Sequence, residues 1–349
     1  MMRDVAQALG LLGAALAAGA AFTALALRYA RWRQLLDLPG QRRSHRVPTP
    51  RGGGIAIVAV LLVALFLLDW PLPRLAFSLG AALAAVALVG WVDDHRPLSA
   101  RARIVVHFLA ALGLCLGWRP LVGEIDALVL WPVFALAAFW LAGCINAWNF
   151  MDGSNGLVAS QCLWLALALA WMFGAADAQH LALARPFAAL SLVLAGACAG
   201  FLPFNAPRAA IFLGDVGSGA LGLACGALLL AALALVPQRA ACLLILPSAL
   251  LIDAALTLAF RVYSGRRWYT AHREHLYQWL VRSGRSHAQV AMLYLGWNLL
   301  VVVPACAASM RWPDLAAPVA AAVLLLGALV WWFGKSALCR RVRRKETMQ

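Results

Sequence analysis

Asn146-Ala-Trp-Asn-Phe-Met-Asp-Gly-Ser-Asn-Gly-Leu157 sets three Asn, one Asp and two Gly between two long apolar runs. A bare turn needs a Gly or two; this junction adds four amide or carboxylate side chains, enough to grip a polar ligand at a membrane surface. The stretch therefore reads as the end of one membrane helix, the start of the next, and the floor of a site between them.

The composition around it supports a membrane setting. Of 349 residues, 64% are hydrophobic and 12% charged, where a soluble domain carries about 25% charged residues. The mean hydropathy of +0.82 points the same way. Backbone groups in lipid must be satisfied internally, and no alternating ten-residue barrel pattern is visible, so the class is all-α and polytopic. The eight cysteines are scattered singly, without a CxxC, and read as small buried hydrophobes.

Working outward, about eleven transmembrane helices are expected, near 5–27, 53–68, 75–92, 104–118, 128–147, 158–174, 186–203, 218–236, 241–260, 289–308 and 316–334. The first of these reads as a retained span rather than a cleaved signal. Residues 1–335 then form one membrane domain, followed by a basic tail at 336–349. With the N-terminus outside, the inner segments hold seven basic residues in 28–51, three in 93–103, Arg208, six in 261–288 and six from Lys335 onward, 23 of the 29. The positive-inside rule then places the tail in the cytoplasm. It also explains the formal charge of +15 without nucleic acid; the tail suits anionic headgroups.

Orientation sorts the acids. Asp93, Asp94, Asp152 and Asp215 fall at helix ends on the inner side, whereas Glu124, Asp126, Asp177 and Asp314 fall in outer loops without polar company. Two adjacent carboxylates such as Asp93-Asp94 need a cation, either a metal or a neighbouring Arg. In Gly214-Asp215-Val216-Gly217-Ser218-Gly219 the glycines permit close backbone approach, and a helix start favours phosphate; a plain N-cap role for Asp215 is the alternative. Together the four acids make a hard-oxygen set suited to Mg²⁺ carrying substrate phosphates. Cations for those phosphates lie in the loop that holds His45 and Arg51 before Gly52-Gly53-Gly54, and in the loop holding His272, Arg273 and His275. The three-residue spacing puts His272 and His275 on one face of a helical turn, and hydrogen bonding to phosphate or sugar suits them better than zinc.

The order of Ser44-His45 through Pro48-Thr49-Pro50-Arg51-Gly52-Gly53-Gly54, Val92-Asp93-Asp94, Asn149-Phe150-Met151-Asp152-Gly153, Gly214-Asp215-Val216-Gly217-Ser218 and His272-Arg273-Glu274-His275-Leu276 resembles the polyprenyl-phosphate N-acetylhexosamine-1-phosphate transferases, which include the muramoyl-pentapeptide translocase. The resemblance runs from about residue 37 to 290. It implies transfer of a sugar 1-phosphate from a UDP-N-acetyl sugar to undecaprenyl phosphate, releasing UMP, at the cytoplasmic face of a bacterial inner membrane. The N-terminus is then periplasmic, the glycan is O-antigen or a related polymer, and a homodimer is compatible. Mg²⁺, with Mn²⁺ as a substitute, is the implied cofactor, held by Asp215 with Asp94. Asp93 and Asp94 would act on the acceptor phosphate, Asn149, Asp152 and Asn155 on the nucleotide, and His45, Arg51, His272, Arg273 and His275 on phosphates or sugar.

Three positions depart from that pattern. Asn155 stands where many relatives have a second Asp, Pro97 where some have a third acid, and Tyr277 where many have a second His. They point away from the muramoyl-pentapeptide branch, whose loop is rich in consecutive His, and toward enzymes of GlcNAc or 6-deoxy-HexNAc. A secondary transporter is the rival reading, but transporter sites lie near the midplane at a repeat interface, and no repeat is apparent. Of the remaining polar residues, Asp253 is either paired with Arg261 or set in an aqueous cleft, His107 reads as helix packing, and Trp148 as interfacial belt.

Overall fold

The computed structural model describes residues 2–38, 47–267 and 272–347, and these are almost wholly helical. In chain order they form α1 (Met2–Trp32), β1 (Leu36–Asp37), β2 (Thr49–Pro50), α2 (Ile55–Leu67), α3 (Pro73–His95), α4 (Ala100–Gly117), α5 (Ala127–Met151), α6 (Leu157–Phe173), α7 (Leu181–Asn205) and α8 (Asp215–Leu235). The chain continues through α9 (Ala240–Ile245), α10 (Ser248–Tyr263), α11 (Leu276–Arg282), α12 (His287–Trp297), α13 (Val303–Arg311) and α14 (Ala316–Thr347). A π-helical turn, Asn298–Val302, joins α12 to α13.

Eight of the described helical runs are long and apolar enough to cross a membrane, and α9 with α10 makes a ninth, bent by 62°. The bend follows from Pro247, which cannot continue the ladder of α9. The other two expected spans are shorter apolar helices of 13 and 17 residues. At 1.5 Å per residue α2 and α6 rise only about 20 and 26 Å, against a hydrocarbon core of ~30 Å. Both sit within the bundle, α2 against α1, α3 and α7, and α6 against α7 and α8. The tail expected from 336 is helical too, continuing α14 to Thr347.

Helix α8 is the centre of the packing, against α3 and α5. Its sequence, rich in Gly and Ala, suits this position, because small residues let helix backbones approach where lipid supplies no hydrophobic drive. A Cβ on Gly54 would lie 2.2 Å from Gly217 Cα, and one on Gly222 would lie 2.5 Å from the Cys144 carbonyl oxygen. Seven of the eight cysteines are buried. So is Trp148, at 1% exposure; its indole donates to Cys162 Sγ at 3.1 Å, so it belongs to the core and not to an interfacial belt.

Each of α3, α5 and α7 ends, and each of α4, α6 and α8 begins, at the same end of the bundle, as contacts between those termini show. Asn205, closing α7, is buried and ties two of them: its Oδ1 accepts from Gly156 N at 2.6 Å and its Nδ2 donates to the Ile211 carbonyl at 3.0 Å. Truncation strands one buried donor and one buried acceptor, so Asn205→Ala should cost about 2 kcal/mol. Thermal unfolding in detergent, followed by labelling of the exposed thiols, measures it.

Candidate active site

The polar helix ends enclose a cavity of about 260 Å³ whose wall includes Arg51, Asp94, Asp152, Asn155, Asp215 and Arg273. Asp37 joins the wall because the short antiparallel ladder sets Leu36–Asp37 beside Thr49–Pro50, next to Arg51.

The acids do different things here. Asp94, 5% exposed, reaches from α3 to cap α8: its Oδ1 accepts from Asp215 N and its Oδ2 from Val216 N, each at 3.2 Å. Arg51 Nε lies 3.7 Å from the same carboxylate, and Arg51 Nη2 donates to the Asp94 carbonyl. Asp215 is the first residue of α8, so it is not its own N-cap. Its side chain turns outward, 35% exposed, and pairs with Arg103 at 3.1 Å. The same Arg103 nitrogen reaches Asp93 Oδ2 at 2.7 Å, while Asp93 Oδ1 accepts from Leu98 N at 2.5 Å. One guanidinium thus bridges a carboxylate from α3 and one from α8, the neighbouring Arg that Asp93 requires.

Asp152 closes α5, where the helix dipole disfavours an anion. Burial, followed by the charges of Asp215 and Asp94, pushes its carboxyl well above the usual carboxylate range. Among the described residues no side chain is recorded hydrogen-bonding that carboxyl. A cation brought to this wall would therefore be stabilised by Asp152 as well as by Asp215.

The glycine-flanked helix starts serve packing. The N–H groups of Gly53 and Gly54 donate to Phe212 and Leu213 carbonyls, and that of Gly217 to Gly214. With Asp94 on the next two amides, the phosphate-binding N–H groups expected at α8 are already engaged. Gly214 does need its residue type: its φ is +77°, and a Cβ there would lie 2.6 Å from Asp94 Oδ2.

Asn149 lies off the cavity wall and donates to Ser218 Oγ at 3.0 Å, locking α5 to α8. Asn155 is on the wall, its Nδ2 3.4 Å from the Pro207 carbonyl. His272 and His275 come together, ring centroids 5.0 Å apart, but no helix joins them, since α11 starts only at Leu276. Both rings pack near Phe150, and His275 is 2% exposed. Burial, then His275 and Arg261, hold the His272 imidazole at about 4, so at neutral pH it offers hydrogen bonds without charge. His45 lies outside the described residues. Asp253 does not pair with Arg261, which binds Glu274 instead.

Comparison with known proteins fits this geometry. The profile of glycosyl transferase family 4 matches residues 76–233. A decaprenyl-phosphate N-acetylglucosaminephosphotransferase of Mycobacterium tuberculosis (strain ATCC 25618 / H37Rv) is 33% identical over 83% of this chain and 80% of its own length. The chain belongs to glycosyl transferase family 4. A phospho-N-acetylmuramoyl-pentapeptide-transferase of Synechococcus sp. (strain JA-2-3B'a(2-13)) is 31% identical, over 78% of this chain and 83% of its own. An undecaprenyl-phosphate alpha-N-acetylglucosaminyl 1-phosphate transferase of Thermotoga maritima is 31% identical over 56% of each chain.

The family assignment bears out the one expected from the motifs. Its profile spans α3 to α8, hence Asp93, Asp94, Asn149, Asp152, Asn155 and Asp215, and leaves out Arg51 and residues 272–275. Sequence reasoning overlooked Arg103. The signal was Ser99, whose hydroxyl accepts from Ala102 N at 3.2 Å; this N-cap starts α4 before Arg101 and aims Arg103 at the acids. Asn205 carried no comparable signal, and Tyr277 stood out only as a departure from the family pattern.

Proposed function

We propose that this family 4 member transfers an N-acetylhexosamine 1-phosphate, GlcNAc or a 6-deoxy-HexNAc, from a UDP-sugar to undecaprenyl phosphate. UMP is released, and the lipid-linked product starts O-antigen, lipopolysaccharide or a related glycan. The reading rests on one observation: a cavity that gathers Asp94, Asp152, Asp215, Arg51 and Arg273 at one end of a membrane bundle. The acids stand at helix ends, not mid-bundle as in a transporter. By the distribution of Lys and Arg this end faces the cytoplasm, where nucleotide sugars are.

A phosphate oxygen of the lipid attacks the phosphorus that carries the sugar; that P–O bond forms as the bond to UMP breaks. Both partners are anionic, so catalysis is alignment and charge neutralisation. Arg51 and Arg273 supply positive charge at the wall, and Arg103 bridges Asp93 and Asp215. The acceptor phosphate, with a second pKa of about 6, is largely dianionic already, so a general base contributes less than electrostatics.

Among the described residues no three His, Cys, Asp or Glu side chains are clustered for a metal ion. Mg²⁺, however, is usually held by one or two carboxylates together with substrate phosphates, and the cavity offers that donor set. Asp215 and Asp152 would hold it, with Asp94, whose oxygens each accept one amide of α8 and keep lone pairs free, as the third acid at the wall. Bound there it would neutralise the diphosphate of the donor. The choice of sugar rests on the loop at 272–277, because relatives of both branches match at similar identity.

Membranes containing the protein, given radiolabelled UDP-HexNAc, undecaprenyl phosphate and Mg²⁺, should yield labelled lipid and stoichiometric UMP. Absence of product with every UDP-N-acetyl sugar tried would sink the reading.

A further inference from the structure

Outside the cavity, one buried carboxylate has a load that the reaction does not explain. Asp253, on α10 and 2% exposed, accepts five hydrogen bonds from four helices. Oδ1 takes Leu276 N at 2.7 Å, Trp331 Nε1 at 3.1 Å and Thr257 Oγ1 at 3.2 Å. Oδ2 takes Tyr294 Oη at 2.7 Å and Tyr277 N at 3.2 Å. The two backbone donors open α11, whose first turn is therefore fixed by a side chain from another helix.

Position makes this matter. One side of α11, through Tyr277, Gln278 and Val281, forms part of the wall of the candidate active site. Its other side, through Leu276 and Leu280, borders a second, apolar cavity of about 260 Å³ shared with Asp253, Tyr294, Trp297 and Trp331. This helix of seven residues packs on α14, α12 and α10, with a cavity on each of two sides, and the Asp253 hydrogen bonds fix its first turn. Tyr277 carries the constraint onward: its backbone rests on Asp253 while its hydroxyl donates to the Phe150 carbonyl at 3.0 Å. A Cβ on Gly153, next to Asp152, would lie 2.2 Å from that hydroxyl. The wall facing the nucleotide side of the site is thus in direct contact with the segment that Asp253 pins.

We propose that Asp253 is a positioning residue for the nucleotide-sugar donor, fixing α11 as the wall between the two cavities; this rests on the function proposed above. Its task is binding geometry, not transfer. In D253N the amide nitrogen presents a donor to groups that are themselves donors, and α11 loses one of its two anchors. KM for the UDP-sugar should rise about tenfold, with kcat within about threefold of wild type, as expected when an interaction shared by ground and transition states is lost. Amide exchange at 276–282 should accelerate in detergent-solubilised protein while α8 stays protected. D253E should restore KM in part, because the apolar cavity leaves room for one more methylene. Y294F removes a donor from α12 but leaves both α11 amides bound, so it should lower thermal stability and leave KM within twofold.

The proposal is overturned if KM stays at the wild-type value in D253N, or if Y294F raises it equally, which would make Asp253 a purely structural hub. Should D253N not accumulate, D253E and Y294F decide by the same KM comparison. If wild-type protein turns over no UDP-sugar, the proposed function fails, and the exchange measurement alone then tells whether Asp253 pins α11.

Discussion

D215N should lose sugar-phosphate transfer by about 1,000-fold, on the order of 4 kcal/mol of transition-state stabilisation, while the protein stays folded. Asp215 combines three properties. It stands on the cavity wall, its side chain is 35% exposed, and among the described residues its carboxyl meets Arg103 and Asp93. Asn is isosteric, so the packing of α8 on α3 is untouched, and the cap on α8 comes from Asp94. Only charge is removed. That charge is what a cation-bridged diphosphate needs, and Arg103, left with Asp93 alone, would bind there more firmly. Turnover in membranes and thermal unfolding in detergent should therefore separate, with activity lost and stability unchanged within about 1 kcal/mol, as for a partly exposed pair. Turnover within tenfold of wild type at saturating Mg²⁺ would remove Asp215 from the reaction centre.

This separation of roles was only half visible in the sequence. Apolar runs interrupted by Asn146–Leu157, Asp93-Asp94 and Gly214–Gly219 mark helix ends directly, since a charged side chain in hydrocarbon is costly, and parity of crossing then puts those ends together. What spacing does not encode is the partner a group meets in three dimensions. Glycines permit close approach to a ligand or to another helix equally well, and at Gly54 and Gly217 the neighbour is a helix. A helix start attracts an anion, and at α8 the anion is Asp94 from α3, where a phosphate was expected. His272 and His275, spaced for a helical turn, meet across a segment that is not helical. Asp253 gave no hint of five donors, because four of them come from residues at least 23 positions away.

D94N sharpens the contrast between adjacent acids. The Asp94 carboxylate spends one oxygen on each of two consecutive amides at the start of α8 and lies beside Arg51. An amide keeps a single acceptor, so one buried N–H is stranded against an NH₂ group and Arg51 loses its charged partner. The expected destabilisation is about 3 kcal/mol, read as a lower unfolding temperature, and turnover should fall with it because α8 carries Asp215. Neighbouring Asp93 differs: its carboxylate meets one loop amide, Arg103 and Asp215 and holds no helix start, so D93N should lose activity with a smaller stability change. Comparing pH–rate profiles of the two variants with wild type at saturating Mg²⁺ then tests the acceptor-phosphate role, since a general base leaves an acid limb that its removal abolishes. If D94N proves as stable as wild type yet inactive, Asp94 acts on the substrate itself and the capping of α8 is incidental. If stability and turnover fall together, the first acid of the pair faces the chemistry and the second builds the helix start that presents Asp215.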